Sequence, residues 1–319
     1  MCYSAQIQAD YHTFVRAFGA VVDLREFARL YAARAGGAKI KVPKALDAAF
    51  SNPVSDEERS IKALADQYRV DQATKLDHEI SRQRQRLAEA ERVLETRITK
   101  KALEDRRIAT GKVAWCLSRW TDLQRKEPKA RDSRIFPGWY APVMISENGR
   151  RVLKPMRYQC RPQGKPAIYD TKYPGTYNAR RDNLEGFWRN QFGVTHGIIV
   201  VQSFYENVSR HALEGRDLAP GEKDESVVLQ FKPESRHDML VACLWSKWCG
   251  QDGQELLSFA AITDEPPPEV AAAGHDRCII QIRPENMSAW LTPDRTNLSA
   301  MHAILDDRPR SYFVHEMAA

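Results

Sequence analysis

Between Ser55 and Leu123 the chain carries no proline and a single glycine, Gly111, in a run dominated by Arg, Lys, Glu, Gln, Ala and Leu. Residues of this kind lose little side-chain freedom in a helix and leave its backbone hydrogen bonding unbroken, so the segment is confined to long helices. Ile80, Leu87 and Leu94 recur at heptad spacing, Ile98 continues the series, and the positions between them are mostly charged. A narrow apolar seam of this form predicts a helical arm or hairpin over about residues 55–127. Two uses are open to it: a solvated helix pair packed on the body, or an arm that contacts DNA or a protein partner.

After Lys126 the texture changes to short apolar segments punctuated by Pro and Gly: FPGWYAPVMI, GRRVLKPMRYQCRP, THGIIVVQSFYE, DMLVACLW, LLSFAAIT and DRCIIQI. These predict β-strands, with the run Gly197 to Val201 suited to a central one. Asp182 to Gln191 and Met287 to Leu291 suit short helices, and Thr263 to Gly274, with Pro266, Pro267 and Pro268, reads as a loop leading to His275. The fold class is therefore α+β. No internal repeat is visible, and residues 1–319 are expected to form a single domain interrupted by the helical insertion.

No window approaches the ~18 apolar residues that span a bilayer. The opening MCYSAQIQADYH has neither the basic nor the apolar part of a secretory leader, so a cytoplasmic location without membrane association is expected. The six cysteines form no CxxC pair and no zinc-finger spacing with histidine, so disulfides, a metal site and a cofactor are not expected. A net charge of +6 favours a polyanion only where the excess is gathered on one face.

Cys2 follows the initiator methionine, and a side chain that small permits removal of Met1. Removal exposes an α-amine and a thiol on adjacent carbons. The amine has a reference pKa of about 7.7–8.0, so part of it is unprotonated near neutrality and can attack an aldehyde to give an imine. The thiol can then close on the imine carbon as a five-membered thiazolidine, held by two bonds where the imine has one. Taken alone, a cysteine at this position can equally be incidental.

Three further segments give it a context. Tyr177-Asn178-Ala179-Arg180, Ser203-Phe204-Tyr205-Glu206 and His275-Asp276-Arg277 occur in that order, accompanied by Met156-Arg157-Tyr158, Ala242-Cys243-Leu244-Trp245 and Ser258 to Thr263. Together with Cys2 they resemble the SRAP (SOS response-associated peptidase) family, over residues 1 to about 20 and about 136 to 295. The resemblance implies a mainly antiparallel β body with short helices, into which the long helical arm or hairpin is inserted. It also implies a role in the DNA damage response: covalent trapping of abasic sites in single-stranded DNA through Cys2, with nucleoid association when bound. There are departures. Tyr3-Ser4 stand where the family has Gly-Arg, Arg181-Asp182 follow the Asn-Ala-Arg motif where a Glu is usual, Tyr158-Gln159 replace Trp-Gly, and Cys278-Ile279 replace Met-Pro.

Opening a closed abasic sugar and moving protons during imine formation suits a histidine and a carboxylate, and His275 and Glu206 fit. The resemblance implies that Glu206 lies beside the Cys2 amine, that His275 assists ring opening near the sugar oxygen, and that Asn178 orients Cys2. It further implies DNA contacts from Arg180, the best phosphate ligand by its guanidinium fork, from Arg277 and Arg157, and a pocket-lining role for Thr263. Trp188, Trp245 and Trp248 are candidate stacking partners for bases, although Trp245 follows an apolar run and suits the core. Two alternative functions remain open: a cysteine peptidase limited to the bond after Met1, and a noncatalytic DNA-binding scaffold that recruits a protein through the helical arm.

Overall fold

The structure, a computed structural model, describes residues 3–251 and 253–318. Strand β1 (Ser4–Ile7) is followed by α1 (Tyr11–Phe18), β2 (Val21–Val22), α2 (Leu24–Ala35) and α3 (Lys44–Ala49). The long helices α4 (Asp56–Thr96) and α5 (Lys100–Gln124) come next, then β3 (Arg134–Ile135), β4 (Tyr140–Glu147), β5 (Arg150–Tyr158), α6 (Tyr169–Lys172) and β6 (Asn178–Arg180). The remainder is β7 (His196–Ser209), α7 (Arg210–Leu213), β8 (Ser226–Pro233), β9 (Met239–Cys249), β10 (Glu255–Asp264), α8 (Pro268–Ala272), β11 (Cys278–Ile279), α9 (Met287–Leu291), α10 (Leu298–Asp306) and β12 (Phe313–Met317).

The strands join in one sheet, and five of them close a ring: β4 pairs β5, β5 pairs β10, β10 pairs β9, β9 pairs β7, and β7 returns to β4. Four of those five pairings are antiparallel and β5–β10 is parallel, which gives the expected α+β body a barrel-like core. Strand β7 is long enough to serve two neighbourhoods. Its first half pairs with β9 and its second with β8 and β1, with Ser4 opposite Tyr205 and Ala5 opposite Phe204. Burial runs almost unbroken along β7, as expected of a strand covered on both faces. Gly197 sits where β7 closes the ring and a larger residue would be crowded: a Cβ there would lie 3.0 Å from Val143 Cγ1 and 3.1 Å from Cys243 Sγ.

The chain divides into two compact units, one of residues 1–30, 39–52 and 130–319, the other of residues 31–38 and 53–129. In the second unit α4 starts at a variant of the capping box in which Glu58 reaches past the N-cap Ser55 to the amide before it. Ser55 Oγ accepts from the Glu58 amide at 3.1 Å and Glu58 Oε2 accepts from the Val54 amide at 2.6 Å. Helix α5 restarts at Thr99, whose hydroxyl accepts from the Ala102 amide at 3.1 Å. Between the two helices the backbone is extended at Arg97 and Thr99, so Ile98 lies in the turn, 82% exposed, and does not extend the seam. The buried positions on α5 are Ala102, Ala109 and Cys116, small residues at every seventh position that let the helices approach closely.

Two local expectations are corrected. Asp182 to Gln191 is a single 3-10 turn followed by irregular turns rather than an α-helix, because Asn183 Oδ1 accepts from the Phe187 amide and holds the backbone in a side-chain-closed turn. The proline-rich stretch after Thr263 contains α8, which begins at Pro268, where a missing amide costs a helix nothing.

His196, at the start of β7, is buried between Trp290 and Phe192. The Gly193 amide donates to its Nε2 at 2.8 Å and its Nδ1 faces the Trp290 carbonyl at 3.1 Å, an arrangement only the neutral ring satisfies. Burial accordingly lowers its pKa from 6.5 to about 3. The unfolded chain binds a proton between those values that the folded ring refuses, so this contribution to stability is complete above pH 6.5 and is lost as the pH falls. By pH 5 the loss is about 2 kcal/mol. Urea unfolding at pH 7 and pH 5 should show it, and His196→Gln should lose less stability than the wild type on acidification. An identical pH dependence in the two proteins would contradict this assignment.

Candidate active site

The second half of β7 and the segment entering β11 meet at a buried ionisable pair. Glu206 is fully buried and His275 nearly so, and His275 Nε2 lies 3.1 Å from Glu206 Oε2. The other ring nitrogen, Nδ1, stands 3.0 Å from the Arg277 carbonyl oxygen and 3.3 Å from its amide nitrogen. The local path makes this possible: Gly274, at φ +90°, turns the chain out of α8 and passes so close to α7 and the end of β7 that a Cβ there would lie 3.2 Å from Ala212 and 3.9 Å from Val208. His275 is thereby brought over Glu206 from 69 residues away in sequence, as their numbers give.

Asn178 and Thr263 occupy neighbouring ladder positions. Strand β6 runs parallel to β10 with Asn178 beside Ala261 and Arg180 beside Thr263, and Thr263 pairs with Ile279 of β11 on its other side. Both side chains are buried. Among the described residues neither the amide nitrogen and oxygen of Asn178 nor the hydroxyl of Thr263 has a hydrogen-bond partner. Buried polar atoms are paired in nearly all folded proteins, and these two residues share the orphaned state with side-chain atoms of Gln83, Trp120 and Gln191 elsewhere in the chain. No hydrogen bond joins either residue to the Glu206–His275 pair among the described residues.

The remaining candidates are distributed differently. Arg180 is exposed and grips Asp182 with both arms of its guanidinium, at 3.0 and 2.5 Å. Arg277 is largely buried, with Nε 3.7 Å from Asp276. Arg157 donates to Asp170, a carboxylate it shares with Arg161, at 2.7 Å and to the Gln159 carbonyl at 3.1 Å, so it holds the β5 exit in place. Trp188 and Trp248 are buried and offer no face to a base. Cys2 lies outside the described residues. The start of β1 nevertheless leads to this place, because Ser4 opposite Tyr205 puts the head of the strand one register position from Glu206.

Burial pushes the thiols of Cys160, up to about 12, and of Cys243 and Cys278 upward, and the Glu206 charge adds to the effect at Cys278. These three remain protonated and inert near neutrality. Two features escaped the sequence reading: Arg134, whose Nε donates to Ser4 Oγ at 3.0 Å, and the exposed ring of Tyr3, packed edge-on against Phe136 and Tyr177. The pairing of β1 with β3 brings Arg134 to Ser4, and the folded chain places Phe136 and Tyr177 against Tyr3.

The profile of the SOS response associated peptidase (SRAP) family matches residues 82–317. The chain belongs to this family. The match spans α5, the strand ring, Asn178, Glu206 and His275. Solved structures similar to it include a protein from Bordetella bronchiseptica, 18% identical, covering 59% of this chain and 87% of its own, with a TM-score of 0.47. A protein from Bacteroides thetaiotaomicron is 13% identical over 59% of this chain and 78% of its own, with a TM-score of 0.46. A phage-related protein from Bordetella bronchiseptica is 19% identical over 61% and 85%, with a TM-score of 0.43. No curated protein matches this SRAP chain. Among the described residues no helix is long and apolar enough to cross a membrane.

Proposed function

We propose that this SRAP protein captures abasic sites in single-stranded DNA as a covalent adduct of Cys2. The observation that carries the reading is the buried contact between Glu206 and His275, at 3.1 Å, beside the head of β1. A carboxylate and an imidazole in contact form a donor–acceptor couple that can give a proton to one oxygen and take one from a neighbouring nitrogen.

The chemistry then runs in balanced steps. Removal of Met1 frees the α-amine of Cys2. A proton supplied at the ring oxygen of the abasic deoxyribose opens the hemiacetal to its aldehyde. The amine nitrogen attacks that carbon, and the carbinolamine loses one water to leave an imine. The Cys2 sulfur adds to the imine carbon while the imine nitrogen takes up the thiol proton, closing the thiazolidine. The sum is protein plus DNA minus one water, with no oxidant and no metal consumed. In this scheme His275 serves the sugar oxygen, Glu206 serves the amine, and the orphaned amide of Asn178 holds the nucleophile in line.

Because the first bond forms at an aldehyde, the substrate and its nearest analogue should part completely. The purified protein, incubated with a strand carrying one abasic site, should give an adduct that survives a denaturing gel. A strand with tetrahydrofuran at the same position, which has no aldehyde, should bind and give none. An adduct with both strands, or with neither, would count against aldehyde capture.

A further inference from the structure

Arg134 differs from Arg157, Arg161, Arg180 and Arg181 in its partners. Arg157 and Arg161 lie on Asp170, Arg180 on Asp182, and Arg181 on Asp264 and Asp306. No carboxylate lies within ion-pair distance of Arg134 among the described residues. Its guanidinium is nonetheless fixed: Nε donates to Ser4 Oγ, the plane covers the Tyr205 ring at 3.6 Å, and Phe136 lies 4.9 Å from it on the same side chain's path. Those contacts use Nε and the π-faces, leaving the terminal nitrogens, the two prongs that match a phosphate, without a partner among the described residues. Partial burial raises the cost of leaving such a charge unmatched, and it lowers the pKa of Arg134, with Tyr205 and Tyr3 acting in the opposite sense.

Tyr3 stands at the same edge. Its ring is 44% exposed and is braced edge-on by Phe136, with centroids 5.9 Å apart, and by Tyr177, at 6.3 Å. A braced aromatic ring open to solvent beside an unmatched, preoriented guanidinium provides for both halves of a nucleotide, a base to stack and a phosphate to grip.

We infer that Arg134 and Tyr3 form a nucleotide clamp on the β1–β3 edge that holds one unit of single-stranded DNA beside the Glu206–His275 site, Arg134 on its phosphate and Tyr3 on its base. Duplex DNA does not suit it, since a paired and stacked base has no free face for Tyr3. The inference rests on the proposed reading of the chain as a single-stranded-DNA binder. It adds the residues that seat the strand, which that reading did not include.

The test uses the full chain and a fluorescent single strand with tetrahydrofuran in place of the abasic site, so that affinity is read without chemistry. Arg134→Gln should weaken binding about tenfold and make the log–log salt dependence shallower by about 0.7, the share of one phosphate on a single strand. Tyr3→Leu should weaken binding about tenfold with the salt slope unchanged, because stacking releases no counterion. Equal thermal midpoints for the variants and the wild type guard against misfolding, and Arg134→Lys, which keeps charge but not the fork, should recover the salt slope with part of the affinity. A loss at Arg134 with none at Tyr3 reduces the clamp to a bare phosphate contact and overturns it. Unchanged affinity and slope in Arg134→Gln, with wild-type crosslinking intact, overturns the clamp and spares the proposed function. A wild type that neither binds nor crosslinks overturns both.

Discussion

Cys2→Ala is expected to abolish the stable adduct with an abasic strand while leaving the affinity for a tetrahydrofuran strand as it was. The variant keeps a small second residue, so Met1 is still removed, and it keeps an α-amine, so the imine can still form. It lacks the sulfur that converts one hydrolysable bond into two. The adduct should therefore vanish from an untreated denaturing gel and return when borohydride is present during the incubation to reduce the imine. This separation bears on the alternatives as well: a noncatalytic scaffold has no adduct to lose. An undiminished untreated adduct in the variant would remove Cys2 from the chemistry.

Single-turnover crosslinking should slow by about 100-fold in His275→Ala and in Glu206→Gln, the scale of a positioned acid–base group. The two are in contact at 3.1 Å and both are buried, so they are expected to work as one unit. The double variant should then be little slower than either single one, whereas independent groups would multiply to about 10,000-fold. Affinity for the tetrahydrofuran strand should hold in all three. Removing one partner of a buried pair also costs stability, about 1–3 kcal/mol for the polar group left behind, so rates need to be compared below the lowest thermal midpoint. Rates unchanged in both single variants would leave the pair a structural contact.

The fold was legible where a local rule decides the structure. The proline-free composition of 55–123 marks two long helices, and the apolar runs after Lys126 mark β4, β5, β7, β9 and β10. The turn at Ile98 was not legible, because an isoleucine at the next seam position looks the same whether the helix continues or Thr99 caps a new one. Strand β8, paired with β7 on one side and β12 on the other, passed unread although Val227, Leu229 and Phe231 alternate along it, and β12 escaped because it lies at the margin of the sheet on β8. β12 is buried only at Phe313, and its His315-Glu316-Met317 carry no apolar alternation. Helices α1, α2 and α3 passed unread, although Asp10 capping the His12 amide and Gly19 in the left-handed conformation are ordinary start and stop signals for α1.

The candidate site depends more on topology. Glu206 and His275 are remote in sequence, and no periodicity relates them; their order within the family's motifs singled them out before any geometry did. Arg134 had no such motif. It matters because β3 pairs with β1 across 130 residues, which brings its guanidinium onto the hydroxyl of Ser4. The departure at Ser4, which removes an arginine from the strand the family pattern would give it, thus sits beneath an arginine supplied by the neighbouring strand. Conversely, Arg157 looked available in the sequence and is occupied by Asp170, an aspartate that nothing nearby in the chain pairs with it by pattern.

The central claim is the bond at Cys2, and the intact mass of the adduct tests it most directly. Folded, Met1-free protein incubated with a strand carrying one abasic site is predicted to give the demethionylated protein plus DNA minus one water, and borohydride should leave that mass unchanged because the thiazolidine carbon is already saturated. A gain of two hydrogens on reduction, a crosslink mapped to another residue, or no adduct from such protein would contradict the account.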